Sequence, residues 1–283
     1  MRSLVRAFTR LLMSPDWLGV PISRLAGPSS YVSIQRKAFL ESRFQARCAS
    51  YFSPPVVESG PFSGMRYETR QSHGSALYPK LLGTYEAELH PAILSLRSRT
   101  YDDIIDVGFA EGYYLIGLSR WFPAATAWGF DLSTEAHELC AGLASINNIS
   151  TDRLRLDYEA NDDSLFRVLG RRSLVICDCE GFEANLFAAD RVDRWQRSDL
   201  IIECHDFIEP GVTDSICSSL EVTHEVEVIP SMDCRLKIGS LSSEARAAFS
   251  THELARLVSE GRPASQSWIV GRARQLMAES DSV

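Results

Sequence analysis

The sequence predicts an α/β protein: a doubly wound, Rossmann-like sheet of seven strands behind a helical N-terminal extension. Three observations carry this reading. From Tyr101 onward, short apolar runs alternate with stretches of helical period. A glycine turn, Gly108 to Gly112, follows the first run, and Asp131 closes the second.

Four segments follow from the chain in order: an extension over 1–58, a hairpin and helix over 59–100, a ligand-binding domain over 101–275 and a disordered tail over 276–283. Met1 to Met13 reads as a basic amphipathic helix, with Arg2, Arg6 and Arg10 at i, i+4, i+8. Three readings compete for it: a docking helix or plain disorder, a membrane-surface anchor, or a transit peptide. Ile34 to Ala49 is the best helix of the extension. Gly60 to Tyr67 reads as a short hairpin, and Thr84 as the cap of a helix running to about Arg97.

The ligand-binding domain opens with a strand at Ile104–Val107, a helix from Tyr114 to Trp121 stopped by Pro123, and a strand at Thr126–Phe130. Ser133 caps a helix over 134–147. Strands at 153–156, 173–177, 200–203, 222–229 and 267–270 alternate with helices at 162–169, 182–189, 212–220 and 244–259.

Composition narrows the function classes. The 283 residues are 45% hydrophobic and 23% charged, an ordinary globular balance. No apolar run is long enough for a transmembrane helix. Seven cysteines, an odd number without framework spacing, point to reduced thiols and a cytoplasmic protein. Residues 1–50 carry eight Lys/Arg and two Asp/Glu, net +6, so the remaining residues carry −14 of the overall −8. An acidic body argues against nucleic acid as partner, because phosphate binding needs clustered basic residues. A small-molecule or glycan acceptor is the partner expected, with docking to protein or membrane through residues 1–13.

The glycine turn carries specific chemistry. It brings backbone close to a ligand, and the helix behind it points free N–H groups the same way. Asp131, 19 residues after Gly112, has the spacing of a carboxylate that accepts ribose hydroxyls. The turn Asp106-Val-Gly108-Phe-Ala110-Glu-Gly112 is not G-x-G-x-x-G, so a nicotinamide dinucleotide fits poorly. A second cluster follows from topology. Asp178, Glu180 and Glu183 follow one strand, and Glu203 and His205 end the next. Neighbouring parallel strands would bring Asp178, Glu180, Glu203 and His205 together at their carboxyl ends.

Three acids in one mouth cannot all ionise cheaply. Either they are plain hydrogen-bond acceptors, or a divalent metal joins them, since carboxylates with one imidazole suit Mg²⁺ or Mn²⁺. Zinc on Cys177, Cys179 and Cys204 fits less well, because small buried cysteines commonly pack cores. His205 reads either as a general base or as a group that only orients Glu203 or a carbonyl. No other histidine has a comparable setting. Tyr113 and Tyr114 divide between cofactor and core, and Tyr85 and Glu86 read either as reaching the site from the preceding helix or as capping or packing residues.

The turn resembles motif I of the class I S-adenosylmethionine (SAM) methyltransferases, D/E-x-G-x-G-x-G, with Ala110 in place of the middle glycine. Residues 60–271 resemble the FkbM-like group of that class through Gly60-Pro-Phe-Ser-Gly-Met-Arg, Leu82-Gly-Thr-Tyr-Glu-Ala-Glu-Leu, the glycine turn and Asp178-Cys-Glu-Gly-Phe-Glu. The resemblance implies the class I methyltransferase fold, with the last strand antiparallel beside the sixth. It implies SAM as cofactor and O-methylation of a hydroxyl on a sugar, glycoside or polyketide-like acceptor. The residues expected around SAM are Asp106, Gly108, Ala110, Gly112, Tyr113, Asp131, Asp157 and Asp178, with Asp157 or Tyr158 near the adenine. Those expected at the reacting methyl are His205, Glu180, Asp178 and Glu203. Two other readings remain open: a non-catalytic SAM-binding scaffold and an NAD-dependent oxidoreductase.

Overall fold

The structure is a computed structural model that describes residues 31–262 and 264–280. Residues 1–53 and 54–283 form separate compact units. In the first, the described residues form one helix, Tyr31–Tyr51; the basic segment 1–13 lies outside the described residues.

The second unit is built on seven strands: β1 (Asp103–Val107), β2 (Thr126–Phe130), β3 (Leu154–Asp157), β4 (Ser173–Cys177), β5 (Ser198–Cys204), β6 (His224–Pro230) and β7 (Ser267–Ala273). They lie in the order β3-β2-β1-β4-β5-β7-β6. β1 to β5 are parallel, and β7 runs antiparallel between β5 and β6. The seven strands are those the strand pattern predicts, and their order and directions make the class I methyltransferase sheet that the resemblance implies. β4 and β5 are buried at every position, as strands covered on both faces must be. β3 alternates between half-buried and exposed residues, as an edge strand does. On one face of the sheet, Ile105, Val107, Val175, Cys177, Ile202 and Cys204 pack with Trp195 and Phe187. The two strand cysteines are therefore core residues.

The chain leaves β1 toward β2 on one side and returns to β4 on the other. A crevice opens at this reversal, outside the carboxyl ends of β1 and β4. The register sets what meets there. Val107 pairs with Cys177, and Cys177 with Ile202. The residues that follow, Gly108, Asp178 and Glu203, are thereby brought side by side.

Several boundaries differ from the sequence reading. Thr84 is not a helix cap. Gly83, left-handed at φ 73°, ends the helix Leu77–Leu82, and two further short turns of helix span Ala87–Leu89 and His90–Ser95. The stretch read as one helix over 244–259 is two, Ser243–Ala248 and Thr251–Leu257, because Ser250 and Glu253 close a capping box that starts the second. The segments 162–169 and 182–189 each hold a single turn of helix, Asp162–Leu165 and Glu183–Leu186. The tail begins as a helix, Arg274–Ser280. Ahead of the sheet, residues 55–67 fold back on themselves through Val57 N–H to Met65 O (2.8 Å) and Tyr67 N–H to Pro55 O (2.9 Å).

Candidate functional site

At the crevice lies a cavity of about 590 Å³, within the range typical of small-ligand sites. The glycine turn forms one wall with Gly108, Phe109 and Ala110, beside Asp106 and Asp131. The turn after β4 supplies Asp178, Cys179, Glu180 and Phe182; Tyr158 comes from the end of β3. His73 to Ser75, Lys80 and Tyr85 enter from the segment ahead of β1.

Asp131 organises the turn. One carboxylate oxygen accepts from the Ala110 N–H at 2.9 Å and the other from the Ser133 N–H at 2.8 Å. Ala110 is held in the left-handed region at φ 49°, a conformation that costs a non-glycine residue energy. This explains how alanine stands where the motif has glycine: the Asp131 bond holds the backbone there. Glu180 (φ 53°) and Glu86 (φ 47°) are strained in the same way, and such residues cluster at functional sites.

The two glycines serve the fold more than the ligand. A Cβ on Gly108 would overlap the Asp178 carbonyl oxygen. On Gly112 it would stand 2.7 Å from the Cys140 sulfur. Gly112 caps the helix Tyr113–Ser119 and does not line the cavity, contrary to the cofactor contact expected of it. Asp157 also stays off the cavity wall. Its carboxylate accepts from the Tyr158 N–H at 2.7 Å, and it is Tyr158, stacked on His137 with centroids 4.2 Å apart, that reaches the wall. Tyr113 and Tyr114 both line the cavity, where a division between cofactor and core is expected. Asp106 is 3% exposed, and burial, against the Leu115 N–H and with Asp131 beside it, pushes its carboxyl up to about 8.

The acidic mouth is assembled as the strand register requires. Asp178 Oδ1 and Glu180 Oε2 lie 3.6 and 3.5 Å from His205 Nε2. Glu203 belongs to the same cluster and is ion-paired with Arg262. Glu203 and His205, however, are buried at 3% and 1% exposure and stand behind Asp178, off the cavity wall. That position overturns the general-base reading of His205. Its Nδ1 is 3.0 Å from Glu183 Oε1, and it has no open face toward an acceptor. Burial pushes the imidazole down, but the hydrogen bond and charge of Glu183, with Glu203 and Glu180, outweigh it and leave its pKa above the ordinary value. Burial raises both Asp178 and Glu203; the charge of Asp178 and a hydrogen bond between the two carboxyls raise Glu203 further against the pull of Arg262, while that same bond lowers Asp178 and the charges of Glu86, Glu180 and Glu183 raise it.

Two contributors have no local signature in the sequence. Lys80 and Glu111, both 2% exposed, form a buried ion pair. Glu111 also accepts from Ser72 Oγ (3.0 Å) and His73 N (3.3 Å), which ties the segment over the cavity to the glycine turn. Arg262 reaches from before β7 to Glu203 and to Glu86 (2.7 Å), while Glu86 takes the Tyr114 hydroxyl. Partners that lie far apart in the chain leave no periodic pattern; the left-handed Gly83 at a helix end was the available signal for a tight turn beside this segment.

No protein-family model matches the chain, and no curated protein matches it. Among solved structures it is similar to a precorrin-6Y C5,15-methyltransferase from Geobacter metallireducens, at 12% identity over 64% of this chain and 84% of that one, TM-score 0.41. It is also similar to an rRNA methylase from Streptococcus thermophilus, at 10% identity over 66% and 97%, TM-score 0.45. A third is a SAM-dependent methyltransferase from Thiobacillus denitrificans in complex with S-adenosyl-L-homocysteine, at 15% identity over 66% and 91%, TM-score 0.39. The class of this chain rests on its own sheet: the order with β7 antiparallel between β5 and β6 is the class I methyltransferase fold.

Proposed function

We propose that the protein is a SAM-dependent methyltransferase of the FkbM-like group, acting on a hydroxyl of a sugar, glycoside or polyketide-like acceptor. The observation that carries this is the joint placement of Asp131, the Ala110 turn, Asp178 and Glu180 around one cavity. Asp131 and the turn suit the ribose and amino-acid parts of SAM, Tyr158 the adenine, and Asp178 the sulfonium end. The O-methylation chemistry and the acceptor class come from the motif resemblance over residues 60–271.

In this reading the acceptor oxygen attacks the methyl carbon in line with sulfur. The new O–C bond forms as the C–S bond breaks, and the bonding pair stays on sulfur as S-adenosylhomocysteine leaves. The acceptor's proton goes to Glu180, whose side chain is 74% exposed and lines the cavity. Most of the rate comes from holding oxygen, carbon and sulfur in line.

The test is incubation with methyl-labelled SAM and a panel of sugar, glycoside and polyketide hydroxyls. Label in an alkyl ether product is the expected outcome. SAM that binds and stays intact across the panel would favour the scaffold reading.

A further inference from the structure

We propose that Asp178, Glu203 and His205 form a divalent-cation site that takes Mn²⁺ in preference to Mg²⁺. The inference deepens the methyltransferase reading and rests on it only for the ion's part in the reaction.

The geometry is that of a ligand set. One donor atom from each residue lies within 4.8 Å of the others. Bonds of about 2.1–2.2 Å to an octahedral ion place its donors roughly 3 Å apart when adjacent and about 4.3 Å apart when opposite. His205 Nε2 and Asp178 Oδ1, 3.6 Å apart, are too far for a hydrogen bond but close to the spacing of adjacent ligands.

A second observation points to a ligand. His205 Nε2 and Asp178 Oδ1 are both buried and have no hydrogen-bond partner. His205 is 1% exposed, so water does not satisfy its nitrogen from outside. Burying such atoms without a partner is unfavourable, and a bound cation would satisfy both.

The imidazole is held in the orientation a metal ligand needs. Glu183 Oε1 stands 3.0 Å from Nδ1. The Glu183 carboxylate is itself fixed by the Cys179 N–H (3.1 Å) and the Gly181 N–H (2.9 Å). With Nδ1–H donating to Glu183, the Nε2 lone pair faces Asp178. A carboxylate that orients a histidine whose other nitrogen binds a metal is a recurrent arrangement.

Charge points the same way. Arg262 is shared among Glu86, Glu203 and Glu260, and Lys237 between Glu88 and Glu260. Asp178, Glu180 and Glu183 are left around one imidazole, at 3.6, 3.5 and 3.0 Å. A dication balances that excess. Carboxylate oxygens favour a hard ion, and the imidazole tips the choice from Mg²⁺ to Mn²⁺. The remaining coordination positions would take water.

The experiment is Mn²⁺ titration of the whole chain without SAM, followed by electron paramagnetic resonance and calorimetry. One Mn²⁺ per chain is expected, with ¹⁴N coupling from an imidazole in the pulsed spectrum of the unmodified protein. His205→Ala should weaken binding at least tenfold, and Glu183→Gln by about 10–100-fold through loss of the orienting contact. Asp193→Asn, which removes an exposed carboxylate elsewhere, should leave binding unchanged. Absence of a stoichiometric Mn²⁺ site, absence of ¹⁴N coupling, or binding undiminished in folded His205→Ala would overturn the site. SAM affinity measured on the same samples separates the two readings: intact SAM binding without Mn²⁺ binding sinks the metal alone.

Discussion

Gly108 passes so close beneath the backbone of Asp178 that a methyl group on its Cα would overlap the Asp178 carbonyl oxygen. The Asp178 N–H completes the contact by donating to the Val107 carbonyl at 2.9 Å. The turn that shapes one wall of the cavity is thus locked to the loop that supplies the acids of the other. Gly108→Ala should destabilise the fold, by about 1–3 kcal/mol for overpacking and about 1–2 kcal/mol more for the left-handed backbone. A urea midpoint equal to that of the unmodified protein would show that the two loops are not locked. Loss of ligand binding in this variant reports a damaged fold, not a lost contact.

The Lys80–Glu111 pair is buried on both sides and fastens the segment over the cavity. Lys80→Met should cost roughly 3–5 kcal/mol, because it strands a buried carboxylate. Adding Glu111→Leu should recover part of that loss. Denaturant unfolding of the two variants checks this, and a double variant no more stable than the single one would contradict it.

Asp106 should leave a mark on the pH dependence of stability. Its carboxyl is pushed up to about 8 by burial, with Asp131 and Glu111 adding to the shift and Lys80 opposing it. An unfolded aspartate titrates near 4. Between those values the folded chain holds one more proton than the unfolded chain, so this contribution to stability is full below about pH 4 and falls as pH rises toward 8. Asparagine does not titrate. The melting temperature of Asp106→Asn relative to the unmodified protein should therefore rise steadily from pH 5 to pH 8. A difference that stays flat over that range would show that Asp106 is ionised in the fold.

Glu180 is the carboxylate of the mouth with open access to the cavity. Glu180→Gln should lower turnover by about 10²–10⁴-fold and leave SAM affinity near its starting value. If turnover is unaffected once an acceptor is known, the proton leaves by another route.

Much of the site could be read along the chain because its parts follow strand ends. Val107, Cys177 and Ile202 close apolar runs, so the polar residues after them had to emerge at one end of the sheet. What strand order alone does not give is depth. His205 follows β5 as closely as Asp178 follows β4, and Glu203 lies just inside the end of β5, yet β7 and Arg262 cover them and leave Asp178 and Glu180 at the wall. Helix limits failed where a local polar bond overrode the apolar period. Ser250 and Glu253 restart a helix within a continuous amphipathic pattern, and Gly83 ends one just before Thr84. Lys80 and Arg262 leave no local pattern in the sequence, since their partners lie 31 and 59 residues away.

The central claim is that this cavity binds SAM through Asp131 and the turn it holds. Calorimetric titration of the protein with SAM tests it directly. One site per chain is expected, with no binding of NADH. Asp131→Ala removes the acceptor for the Ala110 N–H and for the ribose, and should weaken SAM by about 1.5–3 kcal/mol, roughly 10–150-fold. No heat with SAM, or full affinity in a folded Asp131→Ala protein, would contradict the account.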